Sequence, residues 1–248
     1  MTFSLHSRRF WLLTFAAVLM AGLTFSLGQW QLRRAAQKEA VQAAIEAKNS
    51  LVPLDEKALL ATKNVALEIY RPAVLKGKWQ STHTVYLDNR PMGGRVGFWV
   101  VTPLAIEGTG QVILVQRGWA PRNFNDRAQL PQVSTPGELV IVEGMIAPPP
   151  SKLYEFKGSD TGRIRQNIDM VLFNQETGLG LLKNVSLLQA GPASEGLQRD
   201  WPAPNLGVDR HYGYAFQWFG LCTLVIFLYG WFQLIVPLRV FSRGHVRD

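Results

Sequence analysis

Residues Phe10–Trp30 read FWLLTFAAVLMAGLTFSLGQW, and nothing between Arg9 and Arg33 carries a charge. A bilayer's hydrocarbon core is about 30 Å thick and takes roughly 20 helical residues to cross, so this run is long enough for a transmembrane helix. A cleaved signal peptide is the competing reading, because Ser7-Arg8-Arg9-Phe10 resembles part of a twin-arginine signal. The run is long for a signal's apolar region and no A-x-A site follows Leu27, so an anchor is expected. At the other end Tyr212 to Leu238 is again uncharged, and Arg239 closes it. Trp201, Tyr212, Tyr214, Trp218, Tyr229 and Trp231 lie at or near the ends of this second run, and Trp11 and Trp30 bracket the first, as interfacial aromatic belts do.

Two spans put both tails on one side. The chain has 248 residues and a formal net charge of +8. The tails hold Arg8, Arg9, Arg239, Arg243 and Arg247 against Asp248 alone, a net +4 and half of the total. Arginines beside the spans favour the cytoplasm, and a long middle is translocated despite its own cations. With no presequence ahead of Arg8, a bacterial inner (plasma) membrane is the expected setting. The expected division is a cytoplasmic tail over 1–9, transmembrane helix 10–30, a periplasmic β-rich domain over 31–210, transmembrane helix 211–238 and a second cytoplasmic tail over 239–248. The rest of the positive charge is spread thinly through the middle, so no nucleic-acid stripe is present.

The single cysteine, Cys222, lies in the second apolar run. One cysteine excludes an internal disulfide, haem attachment through C-x-x-C-H, thiol redox through C-x-x-C and paired-thiolate copper delivery. The histidines are His6, His83, His211 and His245, with no His/Asp/Glu cluster at ligand spacing, so no built-in zinc site is expected.

From Gln31 to Lys48 the apolar positions Leu32, Ala35, Ala36, Ala43 and Ala44 suit a helix that continues out of the membrane. Pro53 and Asp55 mark the start of a short helix ending near Ala61. The centre then turns to short apolar or alternating runs: Ala66 to Trp79, His83 to Asp88, Gly97 to Ile106, Gln111 to Trp119, Glu138 to Ile146 and Asn184 to Gln189. Asn89-Arg90-Pro91, Glu107-Gly108-Thr109-Gly110 and Thr135-Pro136-Gly137 stand between them as turns. The spacing predicts a mainly antiparallel sheet, as a sandwich or partial barrel, between two terminal transmembrane helices. A helix over Asp169 to Thr177, stopped by Gly178, interrupts the strands.

No G-x-S-x-G turn, phosphate-binding loop or H-E-x-x-H helix occurs, so an enzyme is not expected. Gln116-Arg117-Gly118-Trp119-Ala120-Pro121-Arg122 ends an apolar strand. In one reading Gly118 is a bulge, Trp119 is core and the arginines face water; in the other Arg117 and Arg122 hold a carboxylate. Arg90 and Arg95, flanking Pro91-Met92-Gly93-Gly94, invite the same two readings. His211 stands at the outer mouth of the second span, with Tyr214 at i+3 and Trp218 at i+7 on one helix face and Gln217 beside them. It is either an amphipathic interface residue or an axial ligand to haem iron, with the aromatics packing on the porphyrin. Arg210 is the nearest cation in sequence.

These residues carry a resemblance. Gly28-Gln29-Trp30-Gln31-Leu32-Arg33-Arg34, Tyr70-Arg71-Pro72-Ala73-Val74-Leu75-Lys76-Gly77, Thr102-Pro103-Leu104, Val115 to Arg122, Asn167-Ile168-Asp169 and His211-Tyr212-Gly213-Tyr214-Ala215-Phe216-Gln217-Trp218-Phe219-Gly220 follow one another in the order seen in the surfeit locus protein 1 family of cytochrome c oxidase assembly proteins. Gly213 and Phe216 stand at loosely specified positions of the last string. The resemblance implies a membrane chaperone for haem-copper oxidases that binds haem a as transient cargo and passes it to the catalytic subunit. It implies that His211 matches a histidine proposed as a haem ligand, and it leaves Arg117 and Arg122 as a propionate site or a fold element. Implied partners are cytochrome c oxidase subunit I, the haem a synthesis machinery and membrane lipid, with no nucleic acid. The alternative is an assembly scaffold that never binds haem.

Overall fold

The computed structural model describes residues 8–123, 125–126, 129–154, 162–202 and 206–236. The expectations for His6, Arg239, Arg243, His245 and Arg247, and for the end of the second span at Pro237 and Leu238, lie outside the described residues. Contacts divide the chain into a helical unit drawn from Met1–Ala43 and Pro204–Asp248 and a sheet unit, Ala44–Ala203.

The helical unit contains most of helix α1 (Arg8–Asn49) and all of α4 (Val208–Gly230), which runs on as a π-helical turn over Trp231–Ile235. Both are long and apolar enough to cross a membrane. At about 1.5 Å per residue, the 42 residues of α1 extend about 63 Å. A bilayer's apolar core takes only about half of that length, as the polar composition after Trp30 foretold. Apolar side chains of α1 face outward, with Trp11 63% and Leu12 68% exposed. A soluble protein's core helix would bury them; a lipid-facing helix exposes them.

The sheet unit opens with α2 (Glu56–Ala61), capped by Asp55, whose carboxylate accepts from Ala58 N at 2.7 Å. Seven strands follow among the described residues: β1 (Pro72–Trp79), β2 (Val85–Met92), β3 (Arg95–Ile106), β4 (Val112–Pro121), β5 (Leu139–Ala147), β6 (Ile164–Arg165) and β7 (Ser186–Gln189), with α3 (Met170–Thr177) before the last. Their order is β1-β5-β7-β4-β3-β2-β6, and β1 also pairs with β3. That extra pairing closes a ring of β1, β5, β7, β4 and β3, a partial barrel. Closure is possible because β3 has 12 residues. Its first half pairs with β2 and its last residues, Leu104–Ile106, pair with Trp79–Gly77 of β1. The sheet is mainly antiparallel, as expected, with parallel pairing of β4 with β7 and β2 with β6.

The barrel interior is filled by Leu75, Trp79, Leu104, Ile113, Val115, Val142, Ile146 and Leu187, with Leu54 and Leu59 packed on them. Val112 and Leu114, on the opposite face of β4, join Val85, Leu87 and Val101 under Phe173 of α3. Both faces of β4 are therefore covered, which is why it reads as a continuous apolar run and not as an alternation.

Three local expectations need correction. The run from Ala66 does not start a strand: Val65–Glu68 is a 3-10 turn capped by Asn64, and β1 begins at Pro72. His83 belongs to a 3-10 turn before β2. Asn89-Arg90-Pro91 is not the hairpin turn; it lies within β2 at a bulge, with Asn89 in the left-handed region, φ +63°. Reversal comes at Gly93-Gly94, both at positive φ, the requirement of a two-residue hairpin loop between Met92 and Arg95. The sequence reading also missed β6, whose two residues are too few to show a period.

Candidate functional site

In the helical unit, α1 buries Thr24, Gly28, Gln31 and Ala35 at spacings of four, three and four, the seam of a packed helix pair. The facing helix α4 buries Ala215 and Cys222, seven apart. Contacts run antiparallel along this seam. Thr14 Oγ1 and Tyr229 OH are 2.8 Å apart, Cys222 Sγ donates to Ala21 O, and Phe219 packs edge-on against Phe25 and over Gly28. Gly28 admits the ring there, because a Cβ would lie 2.7 Å from Phe219 and the ring would have to shift.

The polar end of the seam holds the candidate site. His211 Nδ1 lies 2.6 Å from Gln31 Oε1. The turn around it is tied down from α1 at two more points: Lys38 donates from Nζ to Leu206 O, and Tyr212 OH donates to Glu39 Oε1 at 2.8 Å. Lys38, Leu206, Gly207, Arg210, His211 and Tyr214 line an open cleft of about 500 Å³. The structure thus brings His211, Tyr214 and Arg210 together. Trp218, one turn further along α4, is half-buried and does not line the cleft. Sequence reasoning missed Lys38 and the role of Gln31. The available signal was their spacing: Gln31 and Lys38 are seven apart, two helical turns on one face.

In the sheet unit Arg117 and Arg122 each meet a carboxylate, and it belongs to the domain itself. Val100 pairs with Gly118 and Val101 with Gln116, so Arg117 is the extra residue of a bulge. Its side chain is fully buried, its NH1 donates to Thr135 Oγ1 at 2.7 Å, its NH2 donates to Ser134 O at 2.7 Å, and NH2 also pairs with Glu195 at 3.0 Å. The guanidinium lies 4.6 Å from the centre of the Trp79 ring. Arg199 shares Glu195 and donates from Nε to the Arg117 carbonyl, which the bulge frees from the ladder. Burial pushes the Arg199 guanidinium below its usual pKa, and Glu195 pulls it back. Arg122 NH1 reaches both oxygens of Asp88, at 2.9 and 3.1 Å. Trp119 is core, as one reading had it, with its Nε1 donating to Arg90 O; Gly97 admits its ring, since a Cβ there would lie 2.6 Å from it. Arg117 and Arg122 do not face water, however. They are engaged by the domain's own acceptors, as is Arg90, which donates to Gln166 O over the Trp99 ring. Arg95 is exposed, as the water-facing reading had it, and lies over the Trp119 ring.

Among the described residues no group of three or more His, Cys, Asp or Glu is placed to hold a metal ion. His211 offers a single imidazole donor, the equipment for one axial position on an iron whose other ligands come with a porphyrin. Gln31 Oε1 can only accept, so the contact favours the tautomer with the proton on Nδ1 and the lone pair on Nε2.

The SURF1 family model matches residues 18–223. The chain is 27% identical over 238 residues to Surfeit locus protein 1 of Rattus norvegicus, covering 86% of this chain and 72% of that one. It is 29% identical over 223 residues to a SURF1-like protein of Rickettsia bellii, covering 86% and 87%. A shorter stretch of 132 residues is 27% identical to the cytochrome oxidase assembly protein SHY1 of Saccharomyces cerevisiae, covering 52% of this chain but only 34% of the yeast protein.

Proposed function

The chain belongs to the SURF1 family, and from that premise we propose that it serves cytochrome oxidase assembly, the role named for its yeast relative, by holding haem a and passing it to the catalytic subunit. The observation that carries this reading is the position of His211, with Nδ1 engaged and the ring lining a cleft beside Tyr214 and two cations. Haem a, as cargo, supplies an iron that takes a neutral imidazole, an apolar ring and two propionates. His211 would ligate the iron, Tyr214 would pack on the ring, and Arg210 and Lys38 would face the propionates. The cleft falls within the range of about 300 to 1,000 Å³ usual for small-molecule sites.

In this reading the two apolar helices anchor the chain in a bacterial inner membrane, with both ends cytoplasmic and the sheet unit periplasmic. Oxidase subunit I receives the haem, and the haem a synthesis machinery delivers it. The chain acts as a carrier and not as a catalyst.

The test is the visible spectrum of the protein purified from cells that make haem a. A haem a spectrum in the wild type, lost or strongly changed in His211→Ala at equal membrane level, supports the assignment. A wild type that carries no haem, yet is still required for oxidase assembly, turns the protein into a scaffold. A His211→Ala protein with a full haem complement and an unaltered spectrum removes His211 as ligand.

A further inference from the structure

Resting on the haem reading above, we propose that Gln31 is the positioning residue of the site, fixing the tautomer and ring orientation of His211 so that Nε2 presents its lone pair to the iron. Three observations lead there. Gln31 is 8% exposed and sits in the α1 seam between Gly28 and Ala35. A carboxamide buried in such a seam is costly unless it is hydrogen-bonded, and the partner it has is His211 Nδ1 at 2.6 Å. The chain on either side is held independently, by Lys38 on the Leu206 carbonyl and by Glu39 on the Tyr212 hydroxyl, so the Gln31 contact is not needed to bring α4 to α1. What it adds is direction. An imidazole ring rotates about χ2 and exchanges its proton between two nitrogens; an acceptor fixed on Nδ1 selects one tautomer and one ring plane.

The contact has an electronic consequence as well. A hydrogen bond accepted from Nδ1–H raises the basicity of Nε2, and loss of such a partner typically weakens metal affinity about 10- to 100-fold. Gln31→Leu keeps the bulk of the side chain in the seam but removes the acceptor. Gln31→Glu keeps an oxygen at the same reach and makes it a stronger acceptor.

The experiment uses the full chain in detergent, wild type and the two variants, with three readouts. The first is the ¹⁵N spectrum of His211 without haem, at one fixed pH where the ring is neutral. The expected result is the Nδ1–H tautomer in wild type and Gln31→Glu, and a mixture or the Nε2–H form in Gln31→Leu. The second is haem a affinity, expected to fall about 10- to 100-fold in Gln31→Leu and to be retained in Gln31→Glu. The third is the reduction potential of bound haem, expected to move negative in Gln31→Glu as the imidazole gains anionic character, a change that a packing role alone would not produce. A wild type loaded through His211, with Gln31→Leu identical to it in tautomer, affinity and potential, overturns the role of Gln31 and leaves the haem reading standing. An Nε2–H tautomer in the wild type overturns it equally. A wild type that takes up no haem overturns the haem reading, and the ligand-positioning role with it, whatever the tautomer.

Discussion

At the scale of single residues, Arg117 shows most clearly what the sequence carries and what it conceals. The glycine, the aromatic and the cations at the end of an apolar strand were visible, and so, in one reading, was a bulge, placed at Gly118, one residue past the extra residue Arg117. The partner was not, because Glu195 stands 78 positions away in a stretch with no periodic signal. The structure places Arg117 and Arg199, fully and almost fully buried, against that one carboxylate. A guanidinium stays charged under all ordinary conditions, so removing the carboxylate leaves two buried cations facing each other. Breaking a buried ion pair from one side costs about 3 to 5 kcal/mol, and Glu195→Ala is expected to fall in that range. Lys152 and Asp169 form a pair of similar length, 2.9 Å, but with the lysine 63% exposed. Lys152→Ala is therefore expected to cost under about 1 kcal/mol. Urea unfolding of the full chain in detergent, followed by tryptophan fluorescence, compares the two. Equal effects would mean that Glu195 is not the counter-ion of the cluster.

At the scale of elements, α3 was legible to its ends, and the signals were local. Asp169 accepts from Val171 N and Leu172 N, and Gly178 takes the left-handed conformation that stops the helix. The first strands were less legible, because Val65, Ala66 and Ile69 are apolar for packing against the barrel core from a 3-10 turn, and an apolar run that short has no period to distinguish the two. The same local chemistry gives α3 a pH dependence. The hydrogen bond from Lys152, then those from the backbone, hold the Asp169 carboxyl below its usual range, and the hydrogen bond from Arg165 does so for Glu176 in the last turn. A carboxyl with a depressed pKa in the folded state stabilises the fold above its unfolded pKa, near 4, and that contribution is lost as pH falls through the lower folded value. Both groups are more than a third exposed on the side chain, so each contribution is under about 1 kcal/mol. Hydrogen exchange of the α3 amides should accelerate below about pH 4 relative to the barrel strands. The double variant Asp169→Asn, Glu176→Gln should lose most of that pH dependence; a variant as acid-sensitive as the wild type would place the titrating groups elsewhere.

At the scale of the whole molecule, the two long apolar helices at the ends were readable from composition alone, whereas the closure of the barrel was not. Closure depends on β1 and β2 lying end to end along one side of β3, a matter of register that alternation in any one strand does not contain. The orientation across the membrane depends on charge. Around the first span the count is uneven, with Arg8 and Arg9 before it and Arg33, Arg34, Lys38 and Lys48 after it, so that helix alone does not direct its N-terminus to the cytoplasm. Around the second, Arg199 and Arg210 stand before the apolar run and Arg239, Arg243 and Arg247 after it. Because lysine and arginine near the ends of a span set its orientation, the prediction is that the arginines after the second helix decide and direct the C-terminus to the cytoplasm. A stretch this long between two spans can be carried across regardless of its charge. A reporter active only in the periplasm should be silent when fused after Asp248 and active when inserted at Gly158. Replacing Arg239, Arg243 and Arg247 by glutamine should make the orientation mixed, while the same change at Arg33 and Arg34 should not weaken it. Activity after Asp248 together with silence at Gly158 in the wild type would reverse the topology and move the His211 cleft to the cytoplasmic face.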